Sequence, residues 1–451
     1  MKSRDISTAV ISDKAFYKRL IFLALPIIGQ DMLNSLVNIL DTFMIGSMGA
    51  VSITAVGLSN QFFFVFIISI FGISSGTAIL MGQFYGSRDI KNIRKSLGLG
   101  VILSLITAVF FAYSAIIHPG TIMRIYSQDE TVIAEGISYL KIIAPSYLIC
   151  AVIVPVNAAL KSMNQPKVPM ITTAIALIVN LTLNYLFIFV LKLGVRGAAM
   201  ATLIARSVEL IVQICIIIFA KMPLAGKLAD FLSADKSFFR KYIGLTAPVI
   251  INEFIWVIGT SLYNVAYKFL GTPSQAAVQI TSTITNLFWV VGMGIGSAAG
   301  IILANELGAK NRERAIIYSR KIIKLAAIIS LLLSGLLLLF APAIVNVFNV
   351  TQDIKTLAYR TIYITASTLI IRQLNFTIIV GILRSGGDTL FCMIIDLIAV
   401  WTLGVPLAFF GAYYLGLPIY WVLLMINAEE LLKLVLCLPR TLKNSWAKTL
   451  V

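Results

Sequence analysis

Apolar residues dominate this chain in long stretches, near 18–42, 53–81, 94–117, 137–160, 168–190 and 196–220, then near 241–268, 276–304, 316–341, 358–383, 390–415 and 417–438. Short polar segments separate them. A helix needs about 20 apolar residues to cross the hydrocarbon of a bilayer. Backbone in lipid must satisfy its own N–H and C=O groups, which favours helices for runs of this length. The pattern predicts an all-α membrane protein with twelve transmembrane helices.

The two sets of six repeat. A shift of 222 carries Pro26 onto Pro248, Gly49 onto Gly271, Ala55 onto Ala277, Gly72 onto Gly294 and Gly86 onto Gly308, without a gap. Further along, Leu160-Lys161-Ser162 answers Leu383-Arg384-Ser385 at a shift of 223. The expected organisation is an N-terminal six-helix lobe over 1–220, a basic cytoplasmic linker over 221–241 and a C-terminal six-helix lobe over 242–451. An even number of spans inserts both halves in the same orientation. The two bundles are then expected to be related by a pseudo-two-fold axis along the membrane normal, as in transporters that rock one bundle against the other. Duplicated bundles also occur in channels and membrane enzymes, so the repeat favours a transporter without proving one.

Composition agrees with lipid as the solvent: 59% hydrophobic residues against 12% charged, with a mean hydropathy of +0.95. The net charge of +17 invites a nucleic-acid reading, but its distribution argues against it. Bases crowd into alternate loops (Arg88 to Lys95, Lys221 to Lys241, Lys310 to Lys321) and near both ends, while the intervening loops hold few. This alternation is the positive-inside pattern, and it predicts a plasma (inner) membrane protein with both termini cytoplasmic. Met1 to Lys14 is polar and mixed, so no cleaved signal peptide is expected. Cys150, Cys215, Cys392 and Cys437 sit singly in apolar runs and read as packing residues. No His-Glu-x-x-His pattern or phosphate-binding loop occurs, which weighs against a membrane enzyme and against a primary pump.

Polar side chains inside spans carry the candidate chemistry, because a charge deep in a bilayer costs at least about 2.5–3.5 kcal/mol and is usually turned to a bundle interior or a wet cavity. Span 1 holds Asp31, Asn34, Ser35, Asn38, Asp41 and Thr42 at helical spacing along one face. Span 7 holds Asn252, Glu253, Trp256, Thr260, Tyr263, Asn264 and Tyr267 in the same rhythm, with Glu253 falling on Asp31 under the repeat. Each half is expected to aim this stripe at a substrate cavity, to which Gln279, Asn375 and Asp396 are added. The bland alternative is that the Asn and Ser residues merely bind helices together.

Depth along the helices places Asp41 in the outer part of span 1, with Asn180 and Asn184 of span 5 and Thr202 of span 6 at a similar level. One carboxylate, two amides and a hydroxyl suit Na⁺ coordination or proton exchange at Asp41. The second half does not copy this site, since Asp41 maps onto Tyr263. Arg206 and Glu209 read as a structural pair. Asp396 is either functional or paired with a loop base, and Arg372 is either functional or snorkelling. Glu429 and Glu430, with Lys433 at hand, are expected near the inner end of span 12, solvated or paired. Pro26, Pro145, Pro155 and Pro248 fall inside spans and are expected to kink them.

The run LPIIGQDMLNSLVNILDTFMIG at 25–46 resembles the first helix of the multidrug and toxic compound extrusion (MATE) family. GQFYG at 82–86 and ILRSGGDT at 382–389 resemble its loop signatures, and NLTLN at 180–184 and GVRGAA at 194–199 its fifth and sixth helices. The resemblance spans the whole chain. It implies a secondary antiporter that exports organic compounds, cationic or amphiphilic, in exchange for Na⁺ or H⁺, without an enzymatic activity or a cofactor and as a monomer. Asp41 matches the family's first-helix carboxylate, Asn180 and Thr202 match its partners, and Glu253 resembles the acid of the seventh helix. Asn184 stands where some proton-coupled members carry Asp. A flippase of the same superfamily, moving a lipid-linked or amphiphilic cargo, is the rival reading.

Overall fold

The computed structural model describes residues 13–348 and 350–451. The start of the segment read as lacking a leader lies outside them. Among the described residues the regular structure is helical, with no strand. In the first half the helices are α1 (Asp13–Gly46), α2 (Ala50–Gly86), α3 (Ile90–Ile117), α4 (Pro119–Tyr126), α5 (Glu130–Ile143), α6 (Pro145–Ser162), α7 (Lys167–Asn184) and α8 (Gly194–Phe219). After the short α9 (Leu228–Phe231) come α10 (Lys236–Lys268), α11 (Gly271–Gly308), α12 (Arg312–Val347), α13 (Gln352–Phe376), α14 (Thr389–Ile398), α15 (Val405–Phe409), α16 (Ile419–Ile426) and α17 (Ala428–Leu442). Four π-helical stretches, Tyr185–Val190, Thr377–Leu383, Ala399–Gly404 and Phe410–Tyr414, prolong or join these helices. Eleven helical segments of the described chain are long and apolar enough to cross a membrane. The twelfth predicted span is α16 and α17, separated at Asn427.

Local chemistry sets many of the ends. Asp89 accepts a hydrogen bond from the Asn92 amide (3.1 Å) at the start of α3, and Asp129 accepts one from the Thr131 amide (2.9 Å) at the start of α5. Within spans, hydroxyls return to the carbonyl one turn back, as Ser59 does to Ala55 (2.8 Å) and Thr77 to Ile73 (2.6 Å), so that little polarity faces the apolar surroundings. Pro26 and Pro248 lie inside continuous helices, as expected. Pro145 does not: it heads α6, where a missing N–H costs no intrahelical bond, and the fourth predicted span is divided there between α5 and α6.

The backbone carries the repeat more fully than the side chains do. Positive φ recurs at Gly49 (116°) and Gly271 (79°), Arg88 (62°) and Lys310 (61°), Asn164 (59°) and Gly387 (82°), Gly194 (60°) and Gly416 (56°), and Lys221 (48°) and Asn444 (59°). Each pair is separated by 222 or 223 residues and lies at or just beyond a helix end.

The chain divides into two compact units, one of Gly29–Ile250 and the other of Ile251–Val451 together with the chain up to Ile28. Both divisions fall inside a helix, two residues beyond Pro26 in α1 and beyond Pro248 in α10. In the first unit, an apolar core joins α2, α3, α5, α6 and α8, with Phe66 stacked on Tyr147 at 5.0 Å. The early part of α10 belongs to it: Tyr242 shares a hydrogen bond with Thr77 (2.7 Å), and a Cβ on Gly76 would meet Thr246 at 2.7 Å. In the second unit, Phe16, Leu20, Leu23 and Ile27 of α1 are buried among α11, α12 and the segment around Ile378–Leu383, and Arg19 pairs with Glu306 at 2.9 Å.

Candidate functional site

In the Gly29–Ile250 unit the four residues read as a cation site are in hydrogen-bond contact. Asn184 ends α7, and the chain changes to π-helical pairing at Tyr185. Its Nδ2 donates to Asp41 Oδ1 at 2.6 Å and to Asn180 Oδ1 at 3.1 Å. Asn180 Nδ2 in turn donates to the Thr202 hydroxyl of α8 at 3.3 Å. Both asparagines are buried, and among the described residues Asn184 Oδ1 has no hydrogen-bond partner. Asp41 borders a cavity of about 620 Å³, whose wall also includes Asn38, Tyr139, Tyr147, Thr202 and Arg206. A carboxylate with one amide donor and an orphaned amide oxygen close by leaves oxygen lone pairs undersupplied with positive charge. This donor set fits a proton or a small hard cation.

Beside it runs a second polar chain. Arg206 donates to Glu209 Oε2 at 2.7 Å, so this is a pair, as expected. Thr173 donates to Glu209 Oε1 at 2.9 Å and accepts from Gln30 Nε2 at 3.3 Å. Of the other first-helix residues, Asn38 lines the cavity, whereas Asp31 and Asn34 do not. Asp31 instead has Lys161 as its charged neighbour.

The other unit draws four predicted cavity residues, Asn252, Tyr263, Asn375 and Asp396, into one polar network. Lys433 of α17 is 3.4 Å from Asp396, 3.8 Å from Glu429 and 3.6 Å from Glu430. Asn252 donates to Asp396 at 2.9 Å, Tyr263 to Glu429 at 2.6 Å, and Asn375 to Glu430 at 2.7 Å. Glu253 pairs with Arg384 at 2.9 Å. Glu429 and Glu430 are therefore paired with Lys433, the second of the two outcomes expected, and they are not at the inner end of their span. They follow directly on the Asn427 break, roughly midway along it, with Glu429 6% exposed. Asp396 is paired with a helical lysine and not with a loop base. Arg372 lies 5.4 Å from the centre of the Trp289 ring, a cation–π contact in place of a snorkel. Trp256 and Gln279 are exposed and take no part in the network.

Two charged partners escaped the sequence reading, Lys161 and Arg384, and Lys433 was named there beside Glu429 and Glu430 but not as the partner of Asp396. A signal existed for each. Lys161 and Arg384 match in the repeat as Asp31 and Glu253 do, and Lys433 follows Glu429 and Glu430 by four and three residues on one helix face.

Comparison with known proteins agrees with this architecture. The family model described as MatE matches residues 26–186 and 248–410, one copy in each half. "Uncharacterized transporter YisQ" of Bacillus subtilis is 27% identical over 448 residues, covering 96% of each chain. "Probable multidrug resistance protein NorM" of Thermotoga maritima is 25% identical, over 96% of this chain and 94% of that protein. "Multidrug and toxin extrusion protein 1" of Oryctolagus cuniculus is 26% identical, over 93% of this chain and 74% of its own length. Among solved structures, an outward-facing multidrug resistance MATE family transporter superposes with a TM-score of 0.87 at 21% identity, covering 96% of this chain and 97% of its own.

Proposed function

The chain belongs to the MatE family, and from that premise we propose that it is a secondary active antiporter, exporting small organic compounds in exchange for Na⁺ or H⁺ by alternating access. Its relatives are multidrug efflux transporters, so the chain is a multi-pass membrane transporter and not an enzyme. The coupling reading rests on one observation: Asp41 is held by Asn184, next to Asn180 and Thr202, at the wall of the cavity. A cation arriving there neutralises a carboxylate that has few donors of its own, and so changes the electrostatics of the compartment a cargo would occupy. Ion and cargo that favour different states of that compartment exchange for one another. The basic loops support a plasma-membrane protein with both termini cytoplasmic.

The test is efflux from proteoliposomes with Na⁺ and pH gradients imposed separately. One of the two gradients should drive export, and Asp41→Asn should reduce gradient-driven export by about tenfold or more while the protein still elutes as a folded species. Undiminished export by that variant would remove Asp41 from the coupling.

A further inference from the structure

We propose that the cavity of the Gly29–Ile250 unit receives compounds bearing a carboxylate on an aromatic body, and that Arg206 is the residue that takes the carboxylate. The inference rests on the export reading for the cavity's role, and within the expected cationic or amphiphilic compounds it selects anionic or zwitterionic amphiphiles. Of the residues lining this cavity, Asp41 is the acid and Arg206 the base. A pocket for simple cations gains nothing from a guanidinium in its wall, because the like charge opposes entry.

The geometry leaves that guanidinium available. Its Nη1 donates to Glu209 at 2.7 Å. Among the described residues, Nε and Nη2 make no hydrogen bond, and neither is sealed away from open space. The side chain is 26% exposed against 1% for Glu209. Glu209 has its second oxygen occupied by Thr173, so it grips one corner of the guanidinium and is itself fixed. An arginine anchored at one nitrogen presents its remaining donors in a rigid fork, which matches a carboxylate and loses little side-chain freedom on binding it. The charged or titratable groups facing Arg206 are Glu209, Asp41 and Cys150. Of the two carboxylates, Asp41 is committed on one oxygen to Asn184. Aromatic surface is at hand in the same wall: Tyr147 lies 5.4 Å from Phe63, centre to centre, with Tyr139 beside them.

The experiment measures equilibrium binding to the full-length protein in nanodiscs, with no ion gradient, for 2-naphthoic acid and its neutral carboxamide. The wild type should prefer the acid by about tenfold or more, the scale of a charge-assisted hydrogen bond. Arg206→Met combined with Glu209→Gln, which avoids stranding a buried carboxylate, should abolish the preference, and Arg206→Lys should keep part of it. Should the double variant fail to fold, Glu209→Gln alone releases the full charge of Arg206 and should strengthen the preference. Equal binding of acid and amide by the wild type would overturn the proposal, as would a preference that survives the double variant or does not rise in Glu209→Gln. Because binding is read without a gradient, failure of ion coupling leaves this result intact. Equally, a transporter that exports neutral and acidic aromatics alike would sink the carboxylate assignment and spare the export reading.

Discussion

At the scale of single residues, Lys433 bears the heaviest electrostatic duty. Its ammonium faces Asp396, Glu429 and Glu430, each within 4 Å and largely buried. Removing one partner of a buried ion pair leaves uncompensated charge, at a cost of about 3–5 kcal/mol. Lys433→Met should therefore lower the thermal unfolding temperature in detergent sharply, and adding Glu430→Gln to it should restore part of the loss. An unchanged melting curve for Lys433→Met would mean that the cluster is solvated. Such clusters are the part of the site that sequence reading reaches least. Asp41, Asn180, Asn184 and Thr202 were legible because helical rise and span direction place them at one depth. Tyr263, Asn375 and Asp396 were legible as polar residues in apolar spans, but not as members of one cluster around Lys433, which Asp396 meets directly and Tyr263 and Asn375 reach through Glu429 and Glu430. Their meeting depends on how α10, α13, α14 and α17 rotate about their axes, and the hydrophobic pattern of a lipid-embedded helix fixes rotation weakly when most faces are apolar.

At the scale of helices and turns, the duplication is legible because it is written in turn chemistry. Gly49 and Gly271 each hold positive φ at the start of a long helix, at 116° and 79°. An added Cβ meets nothing within 4 Å at Gly49 and only Pro273 at 3.8 Å at Gly271, so alanine there is penalised by conformation and not by crowding. Left-handed backbone costs a non-glycine residue roughly 1–2 kcal/mol. Gly49→Ala and Gly271→Ala should each destabilise by about that much in thermal melts, and by similar amounts; an effect at one alone would deny the equivalence of the two turns. What the sequence could not announce is the π-helical pairing after Asn184 and at Thr377–Leu383 and Ala399–Gly404, because composition does not distinguish one backbone hydrogen-bond register from the next. In the last of these, Gly404 has a plain steric reason: a Cβ would run into the Tyr263 hydroxyl and the Glu429 carboxylate.

At the scale of the whole molecule, chain connectivity and packing divide the protein differently. The repeat suggests a division near the linker, whereas the compact units divide at Ile28 and Ile250, positions that correspond under the shift of 222. The start of α1 therefore has its apolar partners in the later half of the chain, where Phe16 lies 4.5 Å from the Tyr318 ring. The start of α10 has its partners in the earlier half, through Tyr242 and Thr246. A half severed in the linker lacks a helical segment that its own core requires and exposes apolar surface where that segment belongs. Fragments 1–226 and 227–451, expressed separately, should aggregate or be degraded, and co-expressed they should assemble and co-purify through a tag on either one. The cut also parts Arg94 from Asp230 (2.9 Å), an ion pair whose side chains are 22% and 39% exposed, so assembly should depend little on salt and chiefly on the exchanged helix segments. Two fragments that fold independently and ignore each other would show that the helix starts are passengers, and that the connectivity alone defines the units.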